Sequence, residues 1–129
     1  APATLSGVRQ MLRALRAGEI VGLLPDQVPP DGLGVWAPFF GRPAYTMTLA
    51  ARLLQQTGAP ALAVWCERLA WGRGFVLHVR AFQQLPEPVA AEAAATRVNA
   101  AMEALIREAP AQYLWGYNRY KAPPRAPTA

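Results

Sequence analysis

One stretch, residues 22–46, constrains the fold of this 129-residue chain more than any other part of it. A short apolar run ends there in the polar pair Asp26 and Gln27, and about twenty residues rich in proline and glycine follow. Connections of that length are uncommon in compact domains and are usually either functional or disordered. The stretch also contains aromatic residues of the kind that disordered segments rarely carry, namely Trp36, Phe39, Phe40 and Tyr45. We therefore expect an ordered aromatic loop that covers a carboxylate just past a strand.

The hydrophobic pattern predicts both helices and strands along the chain. Apolar side chains at three- and four-residue steps indicate a helix from Leu5 that Gly18 terminates, and a second helix capped by Thr46 and ended by Gly58. Two more helices are predicted over residues 92–108 and 110–120, the last with Pro110 at its first position. Short apolar or alternating runs predict strands over residues 20–24, 61–67 and 74–82.

This order of elements predicts an α/β fold with a small, mostly parallel sheet flanked by helices. The two later strands are joined by a short turn at residues 69–73, so they should form an antiparallel hairpin on the C-terminal side of the sheet. Sites in open α/β sheets form outside the carboxyl ends of the strands. Because Asp26 follows the strand predicted at residues 20–24, it is our first candidate for a site residue.

The charge and cysteine content restrict the possible partners and cofactors. A net charge of +5 favours acidic partners such as anionic lipid, phosphate, nucleic acid or an acidic carrier protein. Twelve of the thirteen basic residues are arginine, which codon usage in a GC-rich bacterial genome would also explain. The single cysteine excludes an internal disulfide, and one cysteine far from one histidine cannot build a tetrahedral zinc site.

Two blocks of residues in a fixed order resemble a known family. The first block comprises Leu24, Asp26-Gln27, Gly34, Pro38-Phe39-Phe40-Gly41, Ala44, Thr46 and Thr57-Gly58-Ala59. The second, near the C-terminus, comprises Trp115, Arg119, Tyr120 and Lys121. Together they resemble the bacterial lipid A biosynthesis acyltransferases, the lauroyl and myristoyl transferases of the inner membrane. The resemblance runs from about residue 6 to 121 and covers the C-terminal part of such an enzyme.

The resemblance implies a partial acyltransferase-type domain. The full enzyme would move a fatty acyl group from an acyl carrier protein thioester to a hydroxyl of a lipid A precursor, at the cytoplasmic face of the inner membrane. This chain starts with Ala rather than Met, so we expect a soluble, excised fragment. In the family a histidine–acid pair activates the hydroxyl, and both residues would lie upstream, so we expect no catalytic residue here and little activity of the fragment alone. The resemblance implies no metal, no cofactor and no nucleic-acid partner.

Six residues of this chain are expected to form the supporting half of the substrate groove. By resemblance, Asp26 and Gln27 would lie at its floor and Phe39, Phe40 and Arg42 at its rim, while Arg119 belongs to the matching C-terminal block. We take residues 1–121 as the C-terminal part of a single acyltransferase domain. Residues 122–129 contain three prolines and little to bury, so we expect a disordered tail.

Each candidate also has a purely structural interpretation. Asp26 can cap the turn onto Pro29, the aromatic residues can anchor the loop in the core, and an exposed Arg42 can simply be solvated. Gln83 stands where an acid would have to follow His78 for the family motif, so we expect His78 to be a surface residue. Cys66 is expected to be a small buried hydrophobe.

Two other functional classes stay open on the sequence alone. The chain could be a non-catalytic basic module that binds anionic membrane or an acidic carrier protein, using Arg9, Arg13 and Arg16 on one face of the first helix. It could also bind nucleic acid through the mixed aromatic and basic segment at residues 115–121. A His-x-x-x-x-Glu or Asp motif upstream would favour the enzyme, and its absence the binding module.

Overall fold

The computed structural model describes residues 5–83 and 89–124. In chain order, its helices and strands are α1 (Leu5–Arg16), β1 (Gly34–Phe39), β2 (Arg42–Met47), α2 (Leu49–Thr57), β3 (Leu62–Arg68), β4 (Phe75–Ala81) and α3 (Ala91–Glu108). Among the described residues, β1 pairs with β2 and β3 pairs with β4, each antiparallel, in two separate sheets. Helix α3 packs against both sheets and against α2, and α1 packs against α2. None of these helices is long and apolar enough to cross a membrane.

The β1–β2 hairpin occupies most of the stretch that the sequence predicts to be a loop. Phe40 and Gly41 form its turn with φ values of 47° and 73°, the positive pair that suits a tight hairpin turn. Pro38 lies opposite Pro43, and both residues are tolerated because each strand has a free edge. The continuous loop expected from the sequence is therefore wrong from residue 34 onward.

The core forms where this hairpin meets α3. Phe39, Ala44 and Ile106 are its buried centre, and Met102 and Tyr120 pack against them. An alanine-rich sequence favours α3, and Arg107 in its last turn complements the helix dipole. Because the small alanine side chains let the hairpin approach α3 closely, the sheet can bury one face on it.

Several predicted elements are confirmed. α2 ends at Gly58, which adopts the left-handed conformation with φ 63° and donates its N–H to the carbonyl of Leu54. β3 and β4 form the predicted hairpin, closed by a 3₁₀ turn at Ala70–Gly72. α3 lies within one residue of its predicted bounds at each end, and Val98 and Leu105 on its predicted inner face are buried.

The prediction of a mostly parallel sheet is not confirmed. It required a strand at residues 20–24, but this segment has no strand partner among the described residues, and Ile20 is 96% exposed. An apolar run can form a strand only where a neighbouring strand takes its backbone hydrogen bonds. The described part of the fold is therefore α/β with antiparallel hairpins.

Two predicted helix positions are wrong. The N-cap position of α2 is Thr48, whose side chain makes no capping hydrogen bond, and not Thr46. Thr46 lies buried in β2, and its hydroxyl bonds to side chains across the core. The helix predicted over residues 110–120 is only a 3₁₀ turn at Pro110–Gln112 followed by further turns. Side-chain bonds from Tyr113 to Asp26 and from Tyr120 to the end of β1 hold this segment instead of a helical ladder.

The predicted disordered tail, residues 122–129, falls largely outside the described residues, since 125–129 are not described. Within the described part, the carbonyl of Pro124 accepts a hydrogen bond from the N–H of Asp31 at 2.9 Å. The disorder of the remaining residues stays a prediction.

The burial of Phe39 yields a stability prediction. Phe39 is 1% exposed, so Phe39→Ala should lower the free energy of unfolding by about 3–5 kcal/mol through lost burial and a cavity. Leu114→Ala, at an exposed position, should change it by less than about 0.5 kcal/mol. Urea denaturation followed by circular dichroism measures both values, and equal effects of the two substitutions would contradict the assigned core.

Candidate functional site

A large apolar cavity, open to solvent on one side, lies between α2, α3, β3 and the segment at residues 18–26. Its volume is about 920 Å³. Its walls are mainly aliphatic, and include Leu15, Ile20, Leu53, Val64, Met102 and Leu105. A concave, mostly apolar pocket with a few polar groups is the usual form of a small-molecule site.

Asp26 and Tyr113 provide a polar pair in the wall of this cavity. The hydroxyl of Tyr113 donates a hydrogen bond to Oδ2 of Asp26 at 3.1 Å. Burial, followed by the nearby charge of Asp26, raises the pKa of Tyr113 to about 12. Tyr113 therefore stays neutral at physiological pH and holds the carboxylate with a fixed donor.

Arg119 is a buried cation that connects the β1–β2 hairpin to α3. Its Nη1 donates to the carbonyl of Tyr45 at 2.7 Å, and its Nη2 donates to Oγ1 of Thr46 at 2.8 Å and to Oδ1 of Asn99 at 3.2 Å. Asn99 in turn donates to the carbonyl of Pro38 and to the Thr46 hydroxyl, each at 2.9 Å. These bonds compensate much of the cost of burying a guanidinium that is 3% exposed.

The electrostatics of Arg119 connect it to the Asp26 turn. Burial lowers the pKa of Arg119 from its ordinary value, and the nearby Tyr113 and Asp26 act in the opposite direction. Nε of Arg119 is buried without a hydrogen-bond partner. The opposite charges of Arg119 and Asp26 therefore stabilise each other electrostatically.

The turn of the β1–β2 hairpin carries the three residues that the sequence assigned to a rim. Phe39 is fully buried, whereas Phe40 is half-buried and its N–H donates to Oε1 of Glu103 at 2.8 Å. Arg42 is exposed, and its guanidinium lies 4.3 Å from the ring centre of Tyr120. Phe39 is thus a core residue, and Phe40 and Arg42 form the surface of this turn.

Comparison with known protein families assigns the chain to one family. Residues 3–122 match the family described as bacterial lipid A biosynthesis acyltransferase. This chain belongs to that family. It is 30% identical over 118 residues to the lipid A biosynthesis lauroyltransferase of Escherichia coli K12, a match that covers 91% of this chain and 39% of the relative.

Two other curated relatives match a similar share of this chain. The chain is 32% identical over 124 residues to the lipid A biosynthesis palmitoleoyltransferase of Escherichia coli K12, and equally to a lipid A biosynthesis acyltransferase of Shigella flexneri. Each match covers 92% of the chain and 39% of the relative. The chain therefore spans about two fifths of the length of the relatives that it matches.

The structure separates the six predicted site residues of this family member into two groups. Asp26 lies in the cavity wall, and Gln27 beside it is exposed. The other four lie together around the hairpin turn and the C-terminal segment, where the Phe39 ring is 5.2 Å from the Arg119 guanidinium and 6.1 Å from the Tyr120 ring. Among the six, Asp26 is the residue in contact with the apolar cavity.

Sequence reasoning missed three residues that organise this region. Tyr113 falls within the helix predicted over residues 110–120, which gives no sign that its hydroxyl holds Asp26. Thr46 was assigned to a helix cap, and Asn99 was not considered. A signal for Asn99 did exist, since it is a polar residue beside Val98 on the inward stripe of a helix, where only a bonded polar group is tolerated.

A histidine–carboxylate pair does occur, but neither of its residues lines the cavity. Nε2 of His78 lies 2.8 Å from Oε2 of Glu67, and its ring stacks on Trp65 with the ring centres 4.4 Å apart. The expectation that Cys66 is buried is wrong, because its side of β3 is exposed. The described residues contain no group of His, Cys, Asp or Glu that could hold a metal ion.

The raised pKa of Tyr113 predicts a pH dependence of stability. Near pH 8, Tyr113→Phe should lower the free energy of unfolding by about 0.5–1.5 kcal/mol, because the bond to Asp26 is lost. The unfolded tyrosine titrates near pH 10 and the folded one at about 12, so the wild type loses stability across that window while the variant does not. The difference between the two should therefore shrink above pH 10.

Urea midpoints measured from pH 8 to 11 test this prediction, with Tyr120→Phe as the matched control. Tyr120 donates its hydroxyl to the carbonyl of Phe39 at 2.8 Å and makes no bond to a carboxylate. A difference between wild type and Tyr113→Phe that stays constant above pH 10 would contradict the contact with Asp26.

Proposed function

We propose that this chain forms the groove-supporting part of an enzyme that transfers a fatty acyl chain from acyl carrier protein to a hydroxyl of a lipid A precursor. Its membership of the lipid A biosynthesis acyltransferase family supports this reaction class. The names of the relatives specify lauroyl and palmitoleoyl groups, which are long aliphatic chains. Family membership also supports the proposal that the enzyme works at the inner membrane, where its lipid acceptor resides.

The observation that carries the proposal is the position of Asp26 in the wall of the apolar cavity. An aliphatic chain gains roughly 0.8 kcal/mol for each methylene that it moves from water into such a space. Leu53, Met102 and Leu105 offer aliphatic surface and no competing charge. A carboxylate at the edge of that space is suited to the polar end of the reaction, where the acceptor hydroxyl must be oriented.

Asp26 acts in this proposal as a hydrogen-bond acceptor and not as a nucleophile. The Tyr113 hydroxyl occupies part of its Oδ2, so the carboxylate has a fixed orientation and retains acceptor capacity for an acceptor hydroxyl or a basic group. Positioning of this kind contributes to rate by holding reactants in the reactive geometry. Gln27, exposed next to it, is a second polar contact for the acceptor.

Arg42 and Phe40 form the rim in this proposal, and Phe39 and Arg119 support them from the core. Arg42 is held flat on Tyr120, which leaves the edge of its guanidinium free for a phosphate of the lipid acceptor or an acidic carrier protein. Phe40 is fixed by Glu103 and by the edge-to-face contact with Phe39, whose ring centre is 4.9 Å away. In this proposal the rigid rim and the fixed carboxylate belong to two separate groups of residues, and each restricts the orientation of the acceptor.

The 129-residue chain alone should transfer no acyl group from acyl carrier protein to a lipid A precursor. A positioned general base contributes about 10²–10⁴-fold in rate, and the family's histidine–acid pair is absent from this sequence. Product formation measured with a labelled acyl donor tests this. Turnover that disappears in His78→Ala would contradict it and would assign the base to the His78–Glu67 pair.

The complete protein that contains this chain should depend strongly on Asp26. Asp26→Asn should lower kcat/KM by at least about tenfold, because the amide loses the negative charge that orients the acceptor. Its melting temperature should stay within a few degrees of wild type, since the amide oxygen still accepts the bond from Tyr113.

Asp31→Asn is the matched control for Asp26→Asn. Asp31 is an exposed carboxylate in the same segment and accepts a bond from its neighbour Gly32 at 3.0 Å. The Asp31→Asn variant should leave kcat/KM unchanged. If Asp26→Asn keeps wild-type rates, or loses activity only through a large fall in melting temperature, Asp26 is a structural residue.

A further inference from the structure

The β3–β4 hairpin has two chemically different faces. On the inner face, Trp65 and Arg80 bond to Oε2 of Glu108 at the end of α3, at 3.2 Å and 3.1 Å. The outer face is formed by alternating residues of the two strands. On β3 its Val64 borders the apolar cavity, and on β4 its Leu77 and Val79 are exposed. Exposed contiguous apolar surface is a common mark of an interaction site.

The turn end of the β3–β4 hairpin carries a cluster of exposed residues that we call the tip surface. It comprises Arg68, Trp71, Arg73, Phe75 and Leu77. Trp71 is 95% exposed and Phe75 67% exposed, so both aromatic rings face solvent. Trp71 lies in the left-handed backbone region at φ 61°, which is rare for a bulky side chain. The turn that holds it there is closed by the N–H of Leu69, which donates to the carbonyl of Gly74 at 2.9 Å.

The two charged residues of the tip surface are both arginines. Arg68 and Arg73 are exposed, and residues 68–83 contain no Asp or Glu. The nearest carboxylate in the hairpin, Glu67, is on the inner face and is bonded to His78. The tip surface thus combines two aromatic rings, one aliphatic side chain and two arginines.

This combination is complementary to an anionic lipid surface. Tryptophan is enriched at membrane–water interfaces, where its ring meets the lipid and its N–H meets water. Basic residues near an anionic leaflet contribute about 1 kcal/mol each, which corresponds to roughly fivefold in binding. A second protein copy would bring the same arginines together and repel itself, so charge complementarity favours lipid over self-association.

We propose that the tip surface inserts into the headgroup region of an anionic phospholipid bilayer. Trp71 and Phe75 enter the boundary between headgroups and acyl chains, and Arg68 and Arg73 contact lipid phosphates. This assigns a membrane contact to residues that are not among the six candidate site residues. It goes beyond the proposed function, and its test requires no acyl transfer.

Binding of the 129-residue chain to vesicles tests the proposal. The probes are vesicles of phosphatidylglycerol and phosphatidylcholine in equal parts, and vesicles of phosphatidylcholine alone, both measured by flotation at two salt concentrations. We expect binding to the anionic vesicles that weakens at high salt. Arg68→Gln combined with Arg73→Gln should weaken it about 25-fold at low salt and less at high salt.

The aromatic residues are tested with variants that keep the turn intact. Trp71→Gly removes the side chain, and glycine adopts the positive φ of this position without strain, so the variant should fold. It should bind anionic vesicles at least roughly tenfold more weakly. Phe75→Ala should act in the same direction. Circular dichroism and melting temperatures verify that each variant has the wild-type fold.

Matched controls come from exposed residues elsewhere on the chain. Leu114→Ala removes an exposed apolar side chain, and Arg9→Gln combined with Arg13→Gln removes two exposed charges from α1. Neither should change vesicle binding appreciably. If the α1 variant abolishes binding and the tip variants do not, the membrane contact lies on α1 and the proposal is wrong.

Two further outcomes would overturn the proposal. One is the absence of any difference between anionic and neutral vesicles. The other is a dimer, measured by sedimentation without lipid, that Trp71→Gly dissociates while vesicle binding is absent, since this would assign the tip surface to self-association. Failure of the membrane contact would leave the role of Asp26 unaffected, because that role is measured by kcat/KM in Asp26→Asn.

Discussion

The buried guanidinium of Arg119 is the interaction on which the arrangement of the chain depends. It bonds to the backbone of Tyr45 and to the side chains of Thr46 and Asn99, and so joins the C-terminal segment to β2 and α3 in one network. Burying such a charge costs free energy unless its N–H donors have hydrogen-bond acceptors. Removing any of these acceptors would therefore destabilise the fold. Because the network includes three separate parts of the chain, it fixes the position of the hairpin relative to the helix.

The same C-terminal segment connects the fold to the candidate site. Tyr113 bonds to Asp26, the hydroxyl of Tyr117 accepts the N–H of Val28 at 2.8 Å, and Tyr120 bonds to the carbonyl of Phe39. Three phenol groups thus attach one irregular segment to Asp26, to Val28 just after it and to the end of β1. The segment that contains the C-terminal family block also contains Tyr113, which orients the cavity-lining carboxylate, so a substitution in this segment can alter the site from a distance.

The predictable elements are those whose local pattern agrees with their environment. α3 and the β3–β4 hairpin follow from periodicity, from Gly58 and Pro110 as boundaries, and from the short connection at residues 69–73. Asp26 could be placed near a site because a polar residue after an apolar run is a local signal. The segment at residues 20–24 shows the opposite case, since its apolar pattern fits a strand while the strand state needs a partner that no local pattern supplies.

The sequence alone determined the helices α1, α2 and α3 and the β3–β4 hairpin and, through the order of residues from Leu24 to Lys121, the family. Only the tertiary structure decided that Phe39 is buried while Phe40 is half-exposed, that Arg119 is a core residue, and that Tyr113 holds Asp26. The physical reason is the range of the interactions. Periodicity and capping act within a few residues along the chain, whereas burial and side-chain hydrogen bonds join residues far apart in the sequence, such as Asp26 and Tyr113.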